Sequence, residues 1–280
     1  MRLVTYDAGD GARAGELRDG KVFDLWGQGE SVRQEDRTLS GLLRGGLLAE
    51  VEPPPSDGLP LASVALLPPI GDPQKIVCIG LNYRSHAAEA GIDPPEQPTF
   101  FGKFVNALAP PGATVQLPQG TEMVDYEAEI AVVIGARCSR VQPDQALDHV
   151  AGYTLLNDLS ARDWQFATPQ WMPGKVFDGA APCGPALVTP DEAGAHDAIE
   201  FKLELNGEVM QDASTADLIH SVPEVIAHLS QLMTLEPGDV ISTGTPSGVG
   251  STREPHVWLK PGDEIVITSP TLGELRTTIG

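Results

Sequence analysis

Asp125-Tyr126-Glu127-Ala128-Glu129 runs without a break into Ile130-Ala131-Val132-Val133-Ile134-Gly135. The second half is apolar, rich in β-branched residues and closed by glycine, which reads as a buried strand. Residues two apart on a strand point to the same face. Glu127 and Glu129 therefore set two carboxylates side by side at the mouth of a hydrophobic strand. Like charges placed there repel and lose water, so they need compensation. A hard divalent cation with oxygen ligands supplies it. The plain alternative is an exposed strand end with solvated acids.

A second strand raises the case for a cation. Val150-Ala151-Gly152-Tyr153-Thr154-Leu155-Leu156-Asn157 ends at Asp158, a third acid at the polar end of an apolar run. If the two strands are neighbours, three carboxylates converge. Such a set, with no soft ligand, suits Mg²⁺ or Mn²⁺, with Ca²⁺ as a further candidate. Three carboxylates around a divalent ion leave about one negative charge, so an anionic substrate needs cations nearby. Arg162 and Lys175 are the candidates, Lys175 lying in a Gly/Pro-rich loop between Pro173-Gly174 and Val176-Phe177. His86 and Glu89 share a helical face at a spacing of three. They form a candidate water-activating pair, and helix decoration is the alternative. The turn Thr243-Gly244-Thr245-Pro246-Ser247-Gly248-Val249-Gly250 offers amides and hydroxyls to a carboxylate, or is an ordinary loop. It lacks the Gly-Lys-Ser/Thr ending of a phosphate-binding loop.

The 280 residues suffice for one large domain or a core with an appendage. A formal charge of -21 disfavours nucleic acid and anionic membrane as partners. No run is apolar and long enough to span a bilayer, and the N-terminus lacks a signal-peptide segment, which points to the cytoplasm. Cys78, Cys138 and Cys183 show no metal-binding spacing and read as reduced structural thiols.

Elsewhere the pattern is of short strands with interspersed short helices, without βαβ regularity, so the expected class is a β-rich α+β fold. Residues 1–70 read as a small N-terminal β-rich subdomain, with strands at 1–6 and 21–25. A helix is expected over 39–48 with Ser40 as its cap, then a linker-like loop over 52–58. Residues 71–280 read as the catalytic domain. In it, residues 82–91 form a helix stopped by Gly91, and Asn206-Gly207 marks a hairpin. Residues 222–235 follow a helical period.

The ordered set Gly80-Leu81-Asn82-Tyr83 with His86 and Glu89, Asp125-Tyr126-Glu127-Ala128-Glu129, Asn157-Asp158-Leu159-Ser160-Ala161-Arg162-Asp163, Gly174-Lys175-Val176-Phe177-Asp178 and Ser242-Thr243-Gly244-Thr245-Pro246-Ser247-Gly248-Val249-Gly250 resembles the fumarylacetoacetate hydrolase family. The resemblance runs from about residue 73 to the C-terminus. It implies a mixed β-sandwich roll and a homodimer. It makes Glu127, Glu129 and Asp158 metal ligands, and Lys175 the group that neutralises charge and polarises the substrate oxygen. His86 and Glu89 become a water-activating dyad on a lid-like segment. Arg162, Gln165 and Thr245 become substrate contacts, with Thr245 near the substrate carboxylate. The implied substrate is a small anionic 2-oxo acid. The implied reaction is hydrolysis of a C–C bond in a 2,4-diketo acid, such as an acylpyruvate, fumarylacetoacetate-like acid or diketo sugar acid, releasing pyruvate through a metal-bound enolate. Its alternative is a decarboxylase or isomerase of the 5-carboxymethyl-2-hydroxymuconate or 2-hydroxyhepta-2,4-diene-1,7-dioate type, or an oxaloacetate decarboxylase.

Overall fold

The computed structural model describes residues 1–26, 34–48, 50 and 56–280. The strand Ala128–Ile134 is buried at every position and lies inside the main sheet. It pairs antiparallel with Val150–Asn157 on one side and with Val240–Ser242 on the other. Burial on both faces explains why its sequence is continuously apolar rather than alternating. Each of Ile130, Val132 and Ile134 contributes roughly 1.5–3 kcal/mol by leaving water. The sheet continues from Val240–Ser242 through Ile76–Gly80 to an edge strand, Thr99–Lys103. In the other direction it passes from Val150–Asn157 to Ala181–Val188 and then Arg2–Asp7. The N-terminal strands Arg2–Asp7, Ala12–Arg18 and Lys21–Asp24 thus extend the same sheet.

A second sheet is built on the hairpin Glu200–Leu205 and Glu208–Ser214, followed by Glu264–Ser269, Gly273–Ile279 and Thr114–Val115. Asn206 (φ 53°) and Gly207 (φ 83°) both occupy the left-handed region that a tight two-residue hairpin turn requires. One hydrophobic core joins both sheets and includes Leu3, Ile130, Leu155 and Ile267. The helix Val222–Leu232 buries Val225, Ile226 and Leu229 against it and begins with a capping box of Ser221 and Glu224. The class is the expected β-rich α+β arrangement, with mixed parallel and antiparallel sheets.

Two local expectations are corrected. The helix expected over 39–48 spans only Leu39–Arg44, because Gly45 and Gly46 (φ 68°) follow and stop it. Its cap is Thr38, whose hydroxyl accepts from the Gly41 amide, while Ser40 is buried inside the helix. Of the linker-like loop, residues 52–55 lie outside the described residues. The three cysteines are free and buried.

Candidate metal and 2-oxo acid site

The register of three strands assembles the acids. Ala128 sits opposite Asn157, so the chain continuing past Asn157 brings Asp158 beside Glu127, and the Asp158 amide donates to the Glu127 carbonyl at 2.8 Å. Where the strand leaves regular pairing at its start, side chains hold it. The Glu127 amide donates to Asn157 Oδ1 at 3.0 Å and the Ala128 amide to Gln211 Oε1 at 2.9 Å. Glu127, Glu129 and Asp158 are all buried, and each offers an oxygen within 4.8 Å of the others.

Cations surround two of the three. Lys175 Nζ is 2.6 Å from Glu127 Oε2 and 2.9 Å from Asp158 Oδ2. Arg162 Nη2 bridges Glu127 Oε1 and Asp125 Oδ2, at 2.8 Å each. A second lysine joins them from the edge strand: Lys103 Nζ lies 2.7 Å from Asp158 Oδ1 and also donates to the carbonyls of Ala180 and Lys175. Four buried carboxylates, Asp125, Glu127, Glu129 and Asp158, therefore face three buried cations, Lys103, Arg162 and Lys175.

The acid left over is Glu129. Among the described residues it makes no ion pair; it accepts from the Ser242 hydroxyl at 2.5 Å and the Gly244 amide at 3.0 Å. Burial, reinforced by the charges of Asp158 and Glu127, pushes its carboxyl well above the ordinary carboxylate range. Burial also raises Glu127, but Lys175 and Arg162 outweigh it and hold that carboxyl down at about 2. Burial works to lower Lys175 and Arg162; the acids beside them win, and both stay protonated with raised values. One surplus buried carboxylate within a triad of oxygen donors fits a divalent cation. Glu127, Glu129 and Asp158 would hold it. The site's formal balance would then pass from one negative to one positive charge, which suits an anionic ligand.

Around the acids is a cavity of about 150 Å³. Its lining includes every expected substrate-side residue: His86, Arg162, Gln165, Lys175 and Thr245. Glu89 stands behind His86, with Oε2 3.4 Å from Nδ1. Burial works to raise Glu89, yet His86 and the Gly248 amide (2.9 Å) bring it below its usual value, so it is ionised at neutral pH. The helix that carries the pair, Arg84–Ala90, is stopped by Gly91 in the left-handed region. It is anchored through Asn82, which bonds to His220 and to the Thr243 carbonyl.

The structure redirects one expectation about the turn at 243–250. Its amides serve the chain's own acids: Gly244 donates to Glu129, Gly248 to Glu89, and Gly250 to Asp125. Thr245 lines the cavity, while its hydroxyl donates to the Ala128 carbonyl and accepts from Gln211. Arg162 and Gln165 are likewise bonded to each other at 2.9 Å.

Sequence reasoning missed Asp125, Lys103, Asn157 and Gln211. Asp125 continues the two-residue spacing of Glu127 and Glu129, and accepts from Gly250, Ser251 and Arg162. Lys103 shares the inward face of its strand with Phe101, a spacing visible in the sequence. No local signal marks Gln211, which reaches the site from the other sheet.

Residues 75–280 match the model of the family described as Fumarylacetoacetate (FAA) hydrolase C-terminal. The mitochondrial oxaloacetate tautomerase FAHD2A of Bos taurus is 42% identical over 246 residues, covering 87% of this chain and 76% of its own length. Among solved structures, the fumarylacetoacetate hydrolase of psychrophilic Exiguobacterium antarcticum superposes with a TM-score of 0.87 at 32% identity, covering 100% of this chain and 99% of its own. The 5-carboxymethyl-2-hydroxymuconate delta-isomerase of Mycobacterium smegmatis does so at 0.80 and 33%, covering 100% and 98%. These three relatives are named as a tautomerase, a hydrolase and an isomerase, and in this chain the acids, lysine and histidine lie in one cavity. On these grounds the chain belongs to the fumarylacetoacetate hydrolase family of enzymes.

Proposed function

We propose that this protein is a divalent-metal-dependent enzyme that enolises small 2-oxo acids, and that its reaction is keto–enol interconversion of an acid of the oxaloacetate type. The observation that carries the reading is that His86, Lys175 and the three carboxylates line one cavity of about 150 Å³. A cavity of that size elsewhere takes about one benzene ring. This volume accommodates a substrate of four or five carbons. The relative named an oxaloacetate tautomerase supports the same choice.

A divalent ion held by Glu127, Glu129 and Asp158 supplies Lewis acidity toward the substrate's oxygens. The rest falls to the chain's own groups. His86, with its Nδ1–H directed to Glu89, presents Nε2 as the base that takes a proton from C3. The C3–H electron pair becomes the C2–C3 double bond, and the oxo oxygen gains the charge. The ammonium of Lys175 faces that charge and stabilises it before a proton neutralises it. Ionised Glu89 stabilises the imidazolium meanwhile. Arg162, held by Asp125 and Glu127, keeps the carboxylates in place.

The second reading is hydrolysis of a 2,4-diketo acid, and the His86–Glu89 pair favours it. There His86 takes a proton from water, which attacks the distal carbonyl, and the C–C bond breaks to leave the enolate half at Lys175. A homodimer in the cytoplasm belongs to the same proposal. Among the described residues no helix is long and apolar enough to cross a membrane.

The test is enol absorbance of oxaloacetate in the presence of Mg²⁺ or Mn²⁺, beside pyruvate release from acetylpyruvate and from oxaloacetate. Enol loss faster than in buffer, abolished by EDTA and without pyruvate, is the expected result. Pyruvate and acetate from acetylpyruvate would establish the second reading. Rates equal to buffer in all three assays would dismiss both.

A further inference from the structure

We propose that Trp171 is the specificity-determining wall of this cavity, restricting it to 2-oxo acids whose C3 substituent is no larger than a carboxylate or an acetyl group. This rests on the 2-oxo acid reading above and names the substrate class within it. Trp171 lines the cavity together with Ile79, Gly80 and Phe101. Its ring lies on Gly80, where any Cβ would collide with it. Phe101 meets the ring edge-on, with centroids 6.3 Å apart and an interplanar angle of 74°. The Lys175 ammonium sits over the Phe101 ring, 5.1 Å from its centroid. Oxygen anchor and apolar wall are therefore neighbours.

Their backbone spacing is also fixed. Trp171 opens the short 3-10 turn Met172–Gly174, and Lys175 follows immediately. The Gly174 amide donates to the Trp171 carbonyl at 3.1 Å and the Lys175 amide to that of Met172 at 2.9 Å. Gly174 itself is pressed against the Ala161 carbonyl and the Gln165 backbone, so no side chain fits there and the turn has no room to slide. A 2-oxo acid held at Lys175 thus meets the indole at a set distance. Rigid packing of this kind rejects extra carbon atoms by overlap, and each surplus methylene is worth about tenfold or more in discrimination.

The test is calorimetric binding of pyruvate and of phenylpyruvate to the Mg²⁺-loaded protein. The wild type should bind phenylpyruvate at least about tenfold more weakly than pyruvate. Trp171→Ala should shift that ratio at least about tenfold toward phenylpyruvate, and Trp171→Phe should fall between, because it keeps a ring on Gly80. Circular dichroism and a melting curve establish that each variant is folded. A ratio within about twofold of wild type in folded Trp171→Ala, or equal wild-type affinity for both acids, overturns the wall while leaving the 2-oxo acid reading standing. A wild type that binds neither acid overturns both.

Discussion

Replacing Lys175 by methionine tests the charge arrangement on which the site depends. The substitution keeps the length of the side chain and removes its charge. Lys175 is 2% exposed and pairs with Glu127 at 2.6 Å and Asp158 at 2.9 Å. Breaking a buried pair by deleting one partner typically costs about 3–5 kcal/mol, because a charge is left uncompensated. Here each acid keeps another cation: Arg162 stays 2.8 Å from Glu127, and Lys103 stays 2.7 Å from Asp158. The loss should fall at the low end, about 3 kcal/mol. For a chain of this size that is a fall in Tm of roughly 6 °C. Urea unfolding in EDTA at neutral pH measures it, with Lys202→Met as the control. Lys202 pairs with Glu204 at 2.5 Å with both side chains partly open to solvent, and its replacement should leave the curve unchanged. Enolisation should fall about 10²–10³-fold in Lys175→Met, the usual effect of removing a group that meets a developing oxyanion. A stability loss below about 1 kcal/mol would refute the view that Lys175 is a structural counter-charge.

Other outcomes follow from the same balance. Glu129 has a raised folded value, so its ionised form opposes folding as pH rises; Glu129→Gln should raise the Tm of the metal-free protein at pH 8 and abolish the shift caused by Mg²⁺, and a lower Tm with that shift intact would contradict the surplus-acid argument. Glu127 is depressed to about 2, so its stabilisation is full above the ordinary carboxylate range and is lost as pH falls toward that value; Glu127→Gln should flatten this part of an acid melting series. His86→Asn should leave the Mg²⁺-induced thermal shift in place while removing enolisation, since His86 lies outside the carboxylate triad; joint loss of both would make its part structural. Asp125→Asn should weaken Arg162 and loosen Gly250 and Ser251 together, seen as lower Tm and faster amide exchange at 250–251.

The sequence by itself determined what repeats locally. Two-residue alternation put Glu127 and Glu129 on one face. The apolar run at 130–134 announced a buried strand, and Asn206-Gly207 fixed a hairpin, because strand period and turn conformation are short-range properties. The family likeness then ordered Asp158, Lys175 and His86 around those acids. Only the tertiary structure decided the electrostatics. It brought Lys103 from an edge strand and Gln211 from the second sheet, and it directed the amides of Gly244, Gly248 and Gly250 to the chain's own carboxylates. It also left Glu129 as the acid without a counter-charge among the described residues and laid Trp171 on Gly80. Charges and ring contacts act through space between strands far apart in the chain, and no spacing along a single segment encodes which of them will meet.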